Sequence, residues 1–261
     1  MPRTRRSADL NFVVSPNLDR PFQVESASFS ASSLAFPHVI FAPLHYEPGY
    51  SYPLIVWLHG RGSDERQLPR IMPLVSMRNY VAVALRGIQT GPNQLGRERY
   101  DWLQTEDHIQ QAEQRVFDSI ELATRTHNIS SRRVFLVGFD SGGTMALRLA
   151  MSHPSRFAGV ISLCGALPTG RALFSDLAAA RRLGMFLATG RTSRDYAATQ
   201  VCQDLRLLHT AGLSVTLRQY PCGHELQPQM LSDVDRWIIE QIAPPAAPGV
   251  QSDAEWSHEA E

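Results

Sequence analysis

The chain has 261 residues, with 25 arginines and no lysine against 25 aspartates and glutamates and a formal net charge of zero. That length fits one large α/β domain with a substantial core, and the balanced charge gives no global field to attract nucleic acid or an anionic membrane. Three cysteines (Cys164, Cys202, Cys222) at irregular spacing exclude a disulfide framework and a zinc site.

Residues 1–9 read as disordered, with Arg3, Arg5 and Arg6 followed by no apolar signal-peptide core. Residues 10–43 read as an extended N-terminal β extension, through Phe12-Val13-Val14, Phe22 to Phe29 and Val39-Ile40-Phe41. Pro and Ser breaks and the absence of a helical period make it an antiparallel edge. The rhythm then changes to strand and helix in alternation. Strand 54–58 leads into a helix over Glu65–Arg78, limited by Pro69 and Pro73. Strand 81–85 follows, then a long loop with Gly87, Gly91, Pro92 and Gly96.

Helix 106–126 places Ile109, Ala112, Val116, Ile120 and Ala123 on one face, with Thr105 as its cap. Strand 133–138, helix 142–152, strand 158–164, strand 185–189, helix 195–211 and strand 213–220 continue the pattern. A last helix over about 227–242 turns Met230, Val234, Trp237 and Ile238 inward. The central strands are apolar without alternation, as strands covered on both faces must be. An α/β domain over 10–243 is expected, with a mostly parallel sheet and helices on both faces. Residues 244–261 read as a disordered tail.

Three segments carry the chemistry, each directly after a strand. Leu58-His59-Gly60-Arg61-Gly62 is a Gly-rich turn whose backbone N–H groups can face a developing oxyanion. Gly138-Phe139-Asp140-Ser141-Gly142-Gly143 joins an apolar strand to a helix, the setting of a nucleophile elbow, G-x-S-x-G. Here Asp140 stands where that motif has its serine. Tyr220-Pro221-Cys222-Gly223-His224-Glu225 carries a histidine in a flexed loop at the sheet edge where α/β folds bind ligands.

With Tyr100-Asp101-Trp102 and Phe157-Ala158-Gly159-Val160-Ile161-Ser162-Leu163, these segments resemble the phospholipase/carboxylesterase family of α/β hydrolases, which includes acyl-protein thioesterases. The resemblance covers roughly residues 50–242. It implies an α/β-hydrolase fold and hydrolysis of carboxylic esters or thioesters. It also implies His224 as base and the backbone N–H groups of Arg61 and Ser141 as oxyanion donors. The chain departs from the family twice. The family has Gly-Phe-Ser-Gln-Gly-Gly at the elbow, and an acid three residues after a strand-ending Gly. That Gly is Gly190 here, and the position three residues on is Ser193.

Asp140 admits three readings. It can cap its own helix, leaving a non-catalytic relative that still binds a ligand. It can attack an sp³ carbon, as in the dehalogenases and epoxide hydrolases that resemble this chain at the elbow. The cap domain usual in those families has only about twenty residues, 165–183, in which to fit. Third, the nucleophile can shift to Ser141. An ionised Asp140 beside His224 would favour imidazolium, which cannot act as a general base, so ordinary ester hydrolysis is expected to be severely impaired.

Asp195 is the best carboxylate candidate for the missing acid, against the reading that it only opens helix 195–211. His59, Gly60 and Trp102 are candidate substrate-binding residues; His59 alternatively orders its turn, and Trp102 alternatively pins its loop to the core. Cys222 reads as a small buried hydrophobe. The nine histidines show no metal-ligand spacing, and no cofactor is called for. The expected partner is a small-molecule ester or other apolar ligand, with no nucleic acid and no membrane span. The expected location is the cytoplasm.

Overall fold

The computed structural model describes residues 29–30, 34–170 and 176–243. The expectations for residues 1–9, for Phe12-Val13-Val14 and for 244–261 lie outside the described residues.

An eight-stranded sheet organises the chain, in spatial order β1-β2-β4-β3-β7-β8-β9-β10. Strand β1 (Phe29–Ser30) pairs antiparallel with β2 (His38–Phe41), and β2 pairs antiparallel with β4 (Val81–Leu85). The expected antiparallel edge is therefore in place at Val39–Phe41. From β4 onward every pair is parallel, through β3 (Tyr52–Leu58), β7 (Ile129–Phe139), β8 (Gly159–Leu163), β9 (Gly184–Gly190) and β10 (Val215–Tyr220).

The apolar runs explain this arrangement. Strands β3, β4 and β8 are buried at every residue, so each must be covered on both faces. The residues of β3 alternate between two cores: Leu54, Val56 and Leu58 in one, Ile55 and Trp57 in the other. The first core takes in Ala112, Val116 and Ala123 of α2 (Glu106–Thr126), Met145 and Leu149 of α3 (Ser141–Ser152), and Leu208 of α5 (Ala198–Thr210). The second takes in Leu68, Ile71 and Met72 of α1 (Leu68–Val75). It also holds the inward stripe of α6 (Pro228–Ile242), namely Met230, Val234, Trp237 and Ile238. A fully buried Leu or Ile contributes about 2 kcal/mol, so these two layers hold the sheet as a rigid frame. Between α3 and α5 lies the short α4 (Leu177–Ala180).

Four local expectations need correction. The helix expected over Glu65–Arg78 is a 3-10 turn, Glu65–Gln67, followed by α1, which ends at Val75. The long loop after β4 contains an antiparallel ribbon, β5 (Ile88–Pro92) with β6 (Glu98–Asp101). Its residues are largely exposed, so the sequence carries no apolar alternation to mark it. Helix α5 opens at Ala198, three residues after Asp195. Thr105 sits extended at the cap of α2, but its hydroxyl meets His108 Nδ1 at 2.6 Å and caps no backbone N–H.

Among the described residues, no helix is long and apolar enough to cross a membrane.

Candidate active site

The sheet order reverses at β3: the chain moves from β3 to β4 on one side, then to β7 on the other. Ligands of open α/β sheets bind above the carboxyl ends of strands at such a reversal. The turn after β3, the elbow after β7 and the loops after β9 and β10 meet there.

The elbow is a tight strand-to-helix turn. Asp140 has φ 51° and ψ −121°, a sparsely populated backbone region that costs of order 1–3 kcal/mol for a residue other than glycine. The turn is held from both sides, since Asp140 N donates to Leu163 O at 2.9 Å and Thr144 N donates to Asp140 O at 3.1 Å. Gly142 is required by contact: a Cβ there would lie 2.3 Å from Leu58 O and 2.4 Å from His59 O. The first turn of α3 is thereby pressed against the end of β3, which aims Asp140 into the space above the sheet.

Asp140 does not cap its helix. Its Oδ2 accepts from the backbone N–H of Arg61 at 3.1 Å. Its Oδ1 lies 3.1 Å from His224 Nε2 and 3.8 Å from Arg61 Nη2. The Nε2 contact is off the axis of a ring N–H. It is a close approach of carboxylate and imidazole, not an aligned hydrogen bond, and Nε2 has no hydrogen-bond partner among the described residues. Burial would raise the Asp140 pKa, but the His224 contact, the Arg61 guanidinium and the Arg61 N–H outweigh it and hold the carboxyl below its ordinary range. The Arg61 side chain is half exposed and also reaches Asp101, with Nε 3.5 Å from Oδ2.

His224 is placed by two loops laced together. Arg191 N donates to Tyr220 O at 2.8 Å, and both Thr192 N and Thr192 Oγ1 donate to Cys222 O at 3.0 and 2.9 Å. The imidazole packs beside Phe139, ring centroids 5.6 Å apart. Its Nδ1 meets Ser193 Oγ at 3.0 Å. That hydroxyl oxygen also accepts from Tyr196 N at 3.1 Å. Tyr196 is fixed in turn by its own hydroxyl, which donates to buried Asp204 at 2.8 Å. Burial first, and then Asp204, raise the Tyr196 pKa, so it stays a donor.

The remaining candidates separate. Asp195 is exposed, and the Nδ1 position it was expected to serve holds Ser193. Ser141 opens α3 with its hydroxyl buried and without a hydrogen-bond partner among the described residues. His59 is fully buried: its Nε2 accepts from Gly87 N at 2.9 Å and its Nδ1 meets Gly60 O at 2.8 Å. Burial lowers its pKa and keeps it neutral. Trp102 is buried and donates from Nε1 to His59 O at 2.9 Å. His59 and Trp102 thus order the turn that carries Gly60 and Arg61, in line with the ordering role weighed for each beside substrate contact. Glu225 accepts from Gln227, away from His224. Cys164 and Cys222 are buried, and burial pushes the Cys164 thiol up to about 12.

Sequence reasoning located Asp140, His224 and the Arg61 turn, but it sought a carboxylate for His224. The spacing from Gly190 already pointed to position 193; residue type alone diverted attention to Asp195. The roles of the Arg61 side chain and Tyr196 left no motif to read, and Asp101 stood in its motif with no role assigned.

Solved structures similar to this chain include a carboxylesterase from Mesorhizobium loti (20% identity, TM-score 0.65, 82% of this chain and 99% of that one). Another is acyl-protein thioesterase 2 from Zea mays (18% identity, TM-score 0.63, 80% and 100%). At these identities the likeness concerns the fold. By sequence, the NocK protein of Nocardia uniformis subsp. tsuyamanensis is 34% identical over 134 residues, 48% of this chain but only 38% of that protein. The MhqD protein of Bacillus subtilis (strain 168) is 22% identical over 199 residues, 76% of this chain and 98% of that one. The sequence profile described as phospholipase/carboxylesterase matches residues 49–242, and with the parallel sheet and its elbow it settles the family: the chain belongs to the phospholipase/carboxylesterase family of α/β hydrolases.

Proposed function

We propose that this chain keeps the esterase pocket as a binding site for a small ester or other apolar ligand and does not hydrolyse esters by a serine route. The observation that carries this reading is the position of the Asp140 carboxylate. Oδ2 accepts the Arg61 N–H, the donor that would otherwise serve a substrate oxyanion, while Oδ1 sits against the base, His224. A second negative charge forming about 4 Å away costs about 4 kcal/mol at an effective dielectric near 20, roughly a thousandfold in rate.

A second reading is supported by a separate observation. Asp140 makes no cap contact and extends from a positive-φ apex toward His224, which suits attack on an sp³ carbon. A carboxylate oxygen would form the new C–O bond as the C–halogen or epoxide C–O bond breaks and the leaving group takes the electron pair. Water would then cleave the resulting ester and pass a proton to His224.

Turnover of p-nitrophenyl acetate and butyrate by the native chain and by Asp140→Ser separates these readings. The native rate is expected at buffer background, with measurable activity appearing in Asp140→Ser. Native turnover equal to or above that of Asp140→Ser overturns the proposal. Native hydrolysis of 1-haloalkanes or epoxides that disappears in Asp140→Asn establishes the second reading.

A further inference from the structure

His224 lies between a carboxylate at Nε2 and a hydroxyl at Nδ1. A serine hydrolase has the opposite order, with the hydroxyl at Nε2 and the carboxylate at Nδ1. The inversion has a consequence for the proton. Even off the ring axis, a carboxylate oxygen 3.1 Å from Nε2 repels the electron density of an unprotonated nitrogen and favours a hydrogen there, so the neutral ring carries its hydrogen on Nε2. Nδ1 faces Ser193 Oγ, which accepts from Tyr196 N–H and keeps one rotatable hydrogen of its own. With the ring neutral, that hydrogen points to Nδ1. With the ring cationic, the hydroxyl turns and accepts from Nδ1–H. A carboxylate at this position could only accept.

We infer that Ser193 is a positioning residue that lets His224 take up and release its proton at Nδ1, while Nε2 keeps its hydrogen beside Asp140. The incoming proton comes from water. Only the Ser193 O–H rotates, so no other group changes charge. The charged and titratable groups near the ring are Asp140 on the elbow, Arg61 and Asp101 beyond it, and Glu225 next in the chain; the Cys164 thiol lies within electrostatic reach of Asp140, and the Cys222 thiol of Glu225. Of these, Asp140 alone meets the ring in an ion pair among the described residues. While Asp140 is ionised, His224 has no free Nε2 lone pair for a substrate. The inference shares the Asp140–His224 contact with the proposed function but does not require an inert site.

Nitrogen-15 NMR of the full chain with ¹⁵N-imidazole histidine tests it, the His224 signals being those missing from His224→Gln. The neutral ring is expected to show a protonated Nε2 and an unprotonated Nδ1, with Nδ1 the nitrogen that moves on acidification. A neutral ring protonated on Nδ1 overturns the inference. So does a ring that stays doubly protonated at every pH at which the protein is folded. Ser193→Thr, which keeps the hydroxyl, should preserve the pattern. Ser193→Asp should drive the ring to the cationic pattern at a pH where the native ring is neutral, and a spectrum indifferent to Ser193→Asp removes the role given to Ser193. Beyond the His224→Gln assignment the native tautomer needs no substituted chain, so misfolding of a Ser193 variant leaves that test standing. Ester turnover on the same samples keeps the two proposals apart, because native activity would remove the proposed function and leave the tautomer to stand on its own spectrum.

Discussion

Two histidines sit above the same sheet edge in opposite circumstances. His59 is fully buried, both ring nitrogens are engaged by backbone, and burial keeps it neutral. Because Gly87 N–H donates to Nε2, the ring hydrogen of His59 is on Nδ1. His224 is partly exposed, meets a rotatable hydroxyl on one side and a carboxylate on the other, and leaves Nε2 without an aligned partner among the described residues. Buried polar atoms are normally hydrogen-bonded, so an exception needs a reason. The first histidine is scaffold, closed on itself; the second meets side chains alone, a hydroxyl that can rotate and a carboxylate. The backbone makes the same division, since Asp140 at the open site holds a positive φ.

The largest effect expected from this contrast lies at the open site. Asp140→Ser combined with Ser193→Asp puts hydroxyl and carboxylate back at the ends of His224 that a serine triad uses. The pair should hydrolyse p-nitrophenyl esters about a thousandfold or more faster than Asp140→Ser alone, since a triad lacking a properly held histidine loses rate on that order. Ser193→Asp in the native background should give nothing, because the hydroxyl nucleophile is absent. Adding Asp195→Asn to the double exchange should leave its rate unchanged, as Asp195 is exposed and not at Nδ1. Initial rates for the four variants check this, and additive gains would break the claim that positions 140 and 193 act through one imidazole.

An intermediate effect is expected on the closed side, and it should appear in stability. His59→Ala strands the buried Gly87 N–H and empties the space beside Trp102, whose ring lies 5.3 Å away. A cost of about 3 kcal/mol follows from an orphaned buried donor plus lost packing, measurable as a lower urea midpoint. Trp102→Phe removes the bond to His59 O and part of the buried indole volume, and should cost about 2 kcal/mol. If His59→Ala proves neutral, the turn is held by something other than its histidine.

How much of this was legible in the sequence follows the same division. Strands buried on both faces announce themselves as unbroken apolar runs, and the 3.6-residue stripe of α2 matches the helix found, Glu106–Thr126. The elbow is legible because Gly142 must pass within contact of Leu58 O. The ribbon at 88–101 was hidden because an exposed two-stranded element needs no apolar pattern. The partner of His224 was hidden for a chemical reason. Residue-type reasoning looks for a carboxylate, and the position had exchanged types with the elbow. Only coordinates show that Ser193 reaches Nδ1 while Asp195, two residues on, faces solvent.

The smallest expected effect is the pH dependence that Asp140 lends to stability, and its sign is fixed by the environment described. The folded chain holds this carboxyl below its ordinary range, so just beneath that range the unfolded chain binds more protons at this residue than the folded one. The stabilisation from Asp140 is therefore complete above the ordinary carboxylate pKa of about 4. It is lost as the pH falls through the depressed native value. Asp140→Asn keeps the side-chain shape and the strained backbone but removes the charge. Its urea midpoint should fall below the native one at pH about 7, and the gap should narrow on acidification to about pH 3. A gap that widens in acid would mean that Asp140 is protonated in the folded chain, and with it would go the ion pair on which the open histidine has been read.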